Sequence, residues 1–117
     1  MRLPILALLP LLAACAGLTA PSDSLDAAAR DYVVLQLAIG EKEEGYIDAF
    51  YGPEALKAEG NALAAAEGLP QLSARVAALS ARIAALPQKG ENARRARFLQ
   101  AQLTAAATRL RMLQGEK

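Results

Sequence analysis

The chain has 117 residues, of which 54% are hydrophobic and 4% aromatic, and its formal net charge at pH 7 is +1. It contains no histidine and a single cysteine, which excludes zinc sites that use histidine or four cysteines, catalytic triads that use histidine, and an intramolecular disulfide. Its 28 alanines and 20 leucines favour helices, and its six prolines and eight glycines divide them into short ones. The composition predicts an all-α fold, a small bundle of about four helices that follows a cleaved signal peptide.

The first 14 residues have the features of a secretory signal. One positive charge, Arg2, precedes an apolar run that ends in small residues, and a run of about 12 residues is too short to cross the hydrocarbon core of a membrane as a helix. The tetrad Leu12-Ala13-Ala14-Cys15 resembles a lipobox, in which lipoprotein signal peptidase cleaves immediately before the cysteine. The alternative is an ordinary signal peptide followed by a buried cysteine.

The resemblance to a lipobox implies that Cys15 is the first mature residue and carries lipid. Two or three acyl chains hold a protein stably on a membrane, whereas one does not. Ala16 stands where an aspartate would retain a lipoprotein in the inner membrane of enteric bacteria, so we expect the outer membrane of a bacterial cell envelope, on its periplasmic side. Residues 15–23 would then be the lipidated cysteine and tether, and residues 24–117 the helical domain.

The first predicted helix begins after Ser24, a favourable N-cap, with Asp26 in its first turn. Gly40 is a plausible stop signal for this helix. A strand over residues 32–39 is the alternative, because this stretch contains β-branched residues, but the lead-in at residues 26–30 favours helix. Apolar residues recur at spacings of three and four, as on one face of a helix: Leu25, Ala28, Tyr32, Leu35 and Ile39.

An acidic loop and an aromatic segment follow, and residues 46–53 contain three of the five aromatic residues. In a structural interpretation, Tyr46, Ile47 and Phe50 pack the turn onto the helices and residues 51–53 form a corner. In a binding interpretation, Tyr51 and Asp48 face a ligand cleft. The sequence favours the structural interpretation and leaves the binding one open.

Prolines and glycines delimit the remaining helices. Pro53 is suited to the first position of the second helix, which should end near Gly68. Pro70 starts the third helix, and Pro87 with Gly90 separates it from the fourth. The third and fourth helices each carry a seam of period 3.5, which predicts a C-terminal antiparallel αα-hairpin; the seams are Leu69, Leu72, Val76, Leu79, Ile83 and Leu86, and then Leu99, Leu103, Ala106, Leu110 and Leu113.

Charge is divided between the two halves of the mature chain. Residues 16–70 contain ten acidic and three basic residues, and residues 71–117 contain nine basic and two acidic ones. The basic fourth helix, with Arg94, Arg95 and Arg97, is interpreted as a solvated face that complements an acidic face of the same fold. Contact with lipid headgroups or with an acidic partner is the alternative, and an exported chain is not expected to bind nucleic acid.

Paired carboxylates are the only side chains in the sequence that are candidates for catalysis. Glu43 and Glu44 are expected in a solvated loop, where nothing prepares them for acid–base chemistry. The spacing of a calcium loop and the context of a phosphate-binding loop are both missing. We therefore predict a chain that is not an enzyme and that binds no metal or cofactor.

Three stretches resemble the opening of a bacterial family of longer, often exported proteins that look like helical zinc peptidases of the HExxH type. They are residues 31–33, 37–41 and 46–54, and the arginine-rich residues 94–99 and 109–113 are similar to a later helix of those proteins. The metal ligands and catalytic glutamate of that family lie further downstream, so none of them maps onto this chain.

These observations predict a lipid-anchored helical module of the cell envelope with a packing or interaction role. One alternative is the N-terminal portion of a zinc-dependent peptidase-like protein. The other is a free-standing small lipoprotein that binds a protein partner of the envelope or forms a homo-oligomer.

Overall fold

A computed structural model describes residues 22–117 and shows four α-helices and no strand in that range. The helices are α1 (Leu25–Lys42), α2 (Glu54–Ala66), α3 (Leu69–Ala85) and α4 (Glu91–Leu113). The predicted all-α fold is confirmed. The predicted signal peptide, the cleavage motif Leu12, Ala13 and Ala14, and the lipidation site Cys15 lie outside the described residues.

Helix α1 begins as its sequence predicts. The backbone N–H of Ala27 donates to the Ser24 hydroxyl at 3.1 Å, which satisfies one of the free donors of the first turn. The strand alternative for residues 32–39 is wrong, since these residues lie in the middle of α1.

The prediction that α1 ends at Gly40 is also wrong, because the helix continues to Lys42. A Cβ at position 40 would lie 2.8 Å from Cγ1 of Ile47. Gly40 therefore makes room for the aromatic segment to fold back on α1, which ends at Lys42, three residues of loop before that segment begins.

Helix α2 packs on α1 through a glycine. Pro53 is its N-cap rather than its first residue, and the helix ends at Ala66, two residues before Gly68. Gly60 is buried, and a Cβ there would lie 2.7 Å from Cβ of Leu37 and 3.2 Å from the carbonyl oxygen of Val34. The glycine therefore allows the two helix backbones to approach closely.

Helices α3 and α4 form the predicted antiparallel hairpin. Across it, the Ser80 hydroxyl donates to Oε1 of Gln100 at 2.5 Å, and Nε2 of Gln114 donates to the Ser73 hydroxyl at 2.9 Å. The chain reverses through residues 86–90, where Gly90 has a positive φ of 56°. The inner positions of both predicted seams are buried, and Leu69, Leu86 and Leu113 at their ends are half-buried.

One continuous core joins the helices, with α1 at its centre. Helix α1 contacts all three other helices, whereas α2 contacts only α1 among the described helices. Of the two hairpin helices, α4 meets α1 over a smaller contact than α3 does, and a groove lies between α1 and α4. The largest fully buried side chains are Ile39, Leu72, Ile83, Leu103, Leu110 and Val76.

No helix within residues 22–117 combines the length and the apolar character that crossing a membrane requires.

Candidate interaction surfaces

The ion pairs between helices show in which direction α1 runs relative to α4. Asp26, near its start, pairs with Arg95 at 2.7 Å, and Glu43, just after its end, pairs with Arg109. Helix α1 is therefore parallel to α4, and the groove between them runs along both helices.

This α1–α4 groove has a volume of about 530 Å³, within the ~300–1,000 Å³ that is usual for binding sites. Both helices and the aromatic segment contribute to its walls. Its apolar lining comes from Val33, Leu37, Ile47, Ala49, Phe50 and Ala105, and its polar lining from Tyr32, Gln36, Tyr46, Gln102 and Arg109.

The two tyrosines of the groove remain uncharged at neutral pH. Burial raises the pKa of Tyr46, and the neighbouring Tyr32 and Glu43 raise it further. Burial also raises the pKa of Tyr32. The Tyr46 hydroxyl donates to Oε1 of Gln36 at 2.5 Å, which fixes the aromatic segment on α1 and leaves hydrogen-bonding groups without charge along the groove.

At the far end of the groove, Arg109 and Glu43 neutralise each other. Nε of Arg109 lies 2.9 Å from both carboxylate oxygens of Glu43, and its Nη2 makes a further contact with Oε1. Hydrogen bonding to Arg109 holds the pKa of Glu43 below its usual value. The pair therefore stays charged and matched, and Glu43, expected to be solvated, is instead largely covered by its partner.

The structure places the predicted aromatic-segment residues differently from one another. Tyr46 lines the groove, and Phe50 packs on Gly52, where a Cβ would clash with its ring. Asp48 is exposed and Tyr51 is 97% exposed, and neither lines the groove. Tyr46 packs against the helical core as in the structural interpretation, whereas the contact of Phe50 with Gly52 lies within the segment itself. Asp48 and Tyr51 are solvent-facing residues.

The three arginines of α4 that the sequence singles out differ in their ion-pair partners. Arg95 reaches the acidic half of the chain through Asp26. Arg94 pairs only with Glu91 of its own helix, at 3.2 Å, and Arg97 is exposed, with no ion-pair partner among residues 22–117.

The division of charge between the halves has a structural explanation. Arg82 of α3 binds Asp23 through two hydrogen bonds of 2.7 and 2.8 Å and Asp31 through one of 2.5 Å. Hydrogen bonding to Arg82 lowers the pKa of Asp23. Arg75 likewise binds Glu67 through two hydrogen bonds of 2.6 Å. The basic second half therefore attaches to acidic residues of the first half, but of the three arginines interpreted as a complementary face only Arg95 takes part among the described residues.

Two large apolar residues of α4 are exposed, and the sequence-based predictions did not include them as interaction residues. Phe98 is 59% exposed and Met112 is 52% exposed, and Phe98 borders a second apolar cavity of about 350 Å³ together with Ala29 and Leu99. A signal for both residues was present in the sequence, since Phe98, Ala101, Ala105 and Met112 fall on one helix face opposite the core seam.

Comparison with known protein families, curated proteins and solved structures found no match to this chain. In the part of the chain that the structure describes, no three acidic or cysteine side chains lie together as metal ligands would.

Proposed function

We propose that this protein is a lipid-anchored helical module of a bacterial cell envelope that acts by packing and interaction and not by catalysis. The observation that carries the interaction role is the α1–α4 groove. Its walls are apolar, its polar groups are uncharged or neutralised, and it lies on a bundle whose helices are fixed by ion pairs.

The chemistry of the groove favours binding over reaction. At neutral pH the tyrosines stay protonated because their pKa values are raised, and Glu43 stays ionised because its pKa is lowered. A general acid or base needs a pKa near the working pH, which these groups do not have. An apolar surface with neutral hydrogen-bonding groups suits an uncharged, largely apolar segment of a partner protein.

The anchor is supported by the tetrad that ends at Cys15. Helix α1 begins at Leu25, and the tether of residues 15–23 can extend by about 30 Å at most. A bundle anchored in this way stays within about one protein diameter of the membrane, where its partners would be membrane-associated proteins.

Replacement of the cysteine tests the anchor. We expect Cys15→Ser to move the protein from the membrane to the soluble fraction and to remove the lipid from the mass of the mature chain. Ala20→Ser in the tether is the matched control and should leave both unchanged. Membrane retention of a processed Cys15→Ser chain would refute the anchor.

Site-specific photocrosslinking tests the groove in the anchored protein. A photoreactive side chain at Ala49 lies in the groove, and one at the exposed Ala58 of α2 lies outside it. We expect one discrete crosslinked partner from position 49 and none from position 58. The same products from both positions would contradict a role for the groove.

The resemblance to the opening of HExxH peptidase-like proteins stays a prediction. Reading the coding DNA after the codon of Lys117 tests it, because a continued frame with a His-Glu-x-x-His motif would support it and an immediate stop codon would count against it.

A further inference from the structure

Helix α4 carries a second seam on the face that points away from the core. Its members recur at spacings of 4, 3, 4, 3 and 4, the repeat by which helices pair in coiled coils. All of them are exposed to solvent, although Phe98 and Met112 are large apolar side chains. We call this set the outer seam: Arg94, Phe98, Ala101, Ala105, Thr108 and Met112.

The threonines on this side of α4 are already satisfied. The Thr104 hydroxyl donates to the carbonyl oxygen of Gln100 at 2.9 Å, and the Thr108 hydroxyl donates to that of Thr104 at 3.1 Å. Threonines that hydrogen-bond within their own helix in this way do not need water as a partner. Covering this face therefore leaves no hydroxyl unpaired.

The two large apolar side chains of the outer seam are placed symmetrically about Ala105. Phe98 lies seven residues before it and Met112 seven residues after it, so each is about 10.5 Å along the helix axis from Ala105. If two α4 helices pack antiparallel around a two-fold axis at Ala105, Phe98 of one copy meets Met112 of the second copy at both ends of the contact.

The same two-fold axis also brings a basic residue of one copy close to an acidic residue of the second copy. Arg94 lies eleven residues before Ala105, and Glu116 lies eleven residues after it. The N–H of Glu116 bonds to the carbonyl oxygen of Arg111 at 3.1 Å, which keeps Glu116 beside the last turn of α4. Among residues 22–117, Arg94 pairs only with Glu91 and Glu116 only with Arg111, both as exposed ion pairs, so each can exchange partners.

From this self-complementarity we infer that the outer seam is a homodimer interface, in which two copies of α4 pack antiparallel about Ala105. Such a contact is isologous, since each copy presents the same surface to the other. Ala101 and Ala105 allow the backbones to approach, and the large side chains cover both ends. Of the outer seam only Ala105 also borders the α1–α4 groove, so the inference adds a separate surface, for a second copy of the chain, to the interaction role proposed above, and it does not depend on the lipid anchor.

We expect a weak dimer. One helix of 23 residues offers less than the ~800 Å² per partner that a standard interface buries, so dissociation in the micromolar range is expected. Confinement of both copies to one membrane surface would raise their effective concentration and favour the dimer.

Disulfide crosslinking of the full-length chain tests the axis. In a Cys15→Ser background the introduced cysteine is the only thiol, so lipidation does not affect the result. Ala105→Cys places the two sulfurs together at the two-fold axis, whereas Ala77→Cys, at an exposed position of α3, does not. We expect at least about tenfold more crosslinked dimer from Ala105→Cys, and equal yields from the two variants would overturn the inference.

Two changes on the outer seam test the contacts in the Ala105→Cys chain. Phe98→Glu should lower the dimer yield at least about tenfold, because it puts a charge into both ends of an apolar contact. Tyr51→Glu, at an exposed residue off the seam, is the control and should leave the yield unchanged. Unchanged helicity by circular dichroism establishes that the Phe98→Glu chain is folded, and an unchanged yield would overturn the inference.

Charge reversal tests the register. Arg94→Glu should reduce the yield, and adding Glu116→Arg should restore it, since the opposite charges again meet across the axis. Loss without restoration would refute this register. Because all these chains carry Cys15→Ser, failure here leaves the anchor test intact, and failure of the anchor leaves these results intact.

Discussion

Gly60→Ala should destabilise the bundle, although alanine is the better helix former. In the interior of a helix this change alone would raise stability by about 1 kcal/mol. At position 60, however, the new Cβ would lie 2.7 Å from Cβ of Leu37 and 3.2 Å from the backbone oxygen of Val34. Neither atom can move by rotation of a side chain, so α1 and α2 must separate.

The size of the effect follows from these two opposing contributions. Overpacking a close contact costs about 1–3 kcal/mol, and contact with atoms fixed to the backbone places Gly60 in the upper part of that range. After subtraction of the gain in helix propensity, we expect a net loss of about 1–2 kcal/mol in the free energy of unfolding. For a domain of this size that loss lowers the Tm by roughly 5–15 °C.

Urea and thermal unfolding, followed by circular dichroism, measure this difference. Gly40→Ala is a matched control, because its new Cβ meets Cγ1 of Ile47, an atom of a side chain that can move; its loss should be smaller. Ala62→Gly, exposed on α2, should lose about 0.5–1 kcal/mol from propensity alone. An increase in stability for Gly60→Ala would refute the close α1–α2 contact.

Three further changes test the groove and the core. Glu43→Gln should lower stability at neutral pH, and the difference from wild type should vanish as the pH falls through and below the lowered pKa of Glu43, because protonation then removes the same charge from the wild-type protein. Tyr46→Phe should cost about 1 kcal/mol, since it leaves Gln36 without its hydroxyl donor. Leu103→Ala, at a position with 1% exposure, should cost about 2–5 kcal/mol and leave the chain close to unfolding at 37 °C.

Each of these predictions has a control. Glu44→Gln, in the same loop but exposed, should have little effect on stability at neutral pH. Tyr51→Phe should have no effect, because Tyr51 is almost fully exposed. Leu103→Met should cost much less than the alanine variant since it nearly conserves volume. A Glu43→Gln profile parallel to wild type down to pH 3 would contradict the ion pair with Arg109.

The sequence pattern predicts helices and their boundaries well where a single local signal determines them. The seams of α3 and α4 have a regular repeat with large side chains, so the repeat indicates both the helix and its buried face. Ser24 was identified as an N-cap because its effect is local. Pro53, Pro70 and Gly90 located the helix boundaries within one or two residues for the same reason.

The predictions failed where the role of a residue depends on a contact with a segment that is distant in the sequence. Gly40 has the pattern of a stop signal, but it makes room for Ile47. Gly60 likewise makes room for Leu37, which its place in the sequence does not indicate. Which acid pairs with which arginine also depends on the direction of α1 relative to the hairpin, and charge counts cannot supply that direction.

The groove and the outer seam were missed for different physical reasons. The groove lies where α4 meets α1 over a smaller contact than α3 does, which is a property of helix packing and not of any one segment. The outer seam consists mostly of alanine, threonine and arginine, which are common on solvated helix faces, and the spacing of Phe98 and Met112 is the one weak signal of it in the sequence.

The central position of α1 affects how the chain acquires its structure. Its apolar face is synthesised first, and α2 covers only part of that face. The rest of the core arrives with α3 and α4, and the pairs Asp26–Arg95 and Glu43–Arg109 join residues 69 and 66 positions apart. The N-terminal half, which has an excess of acidic residues, cannot complete its fold until the C-terminal half, which has an excess of basic residues, has been synthesised. The attraction between the opposite charges speeds the association of the two halves. Because salt screens such attraction beyond about 8 Å at physiological ionic strength, this protein should fold more slowly in concentrated salt, and a nascent chain that ends before α4 would expose its leucines to chaperones.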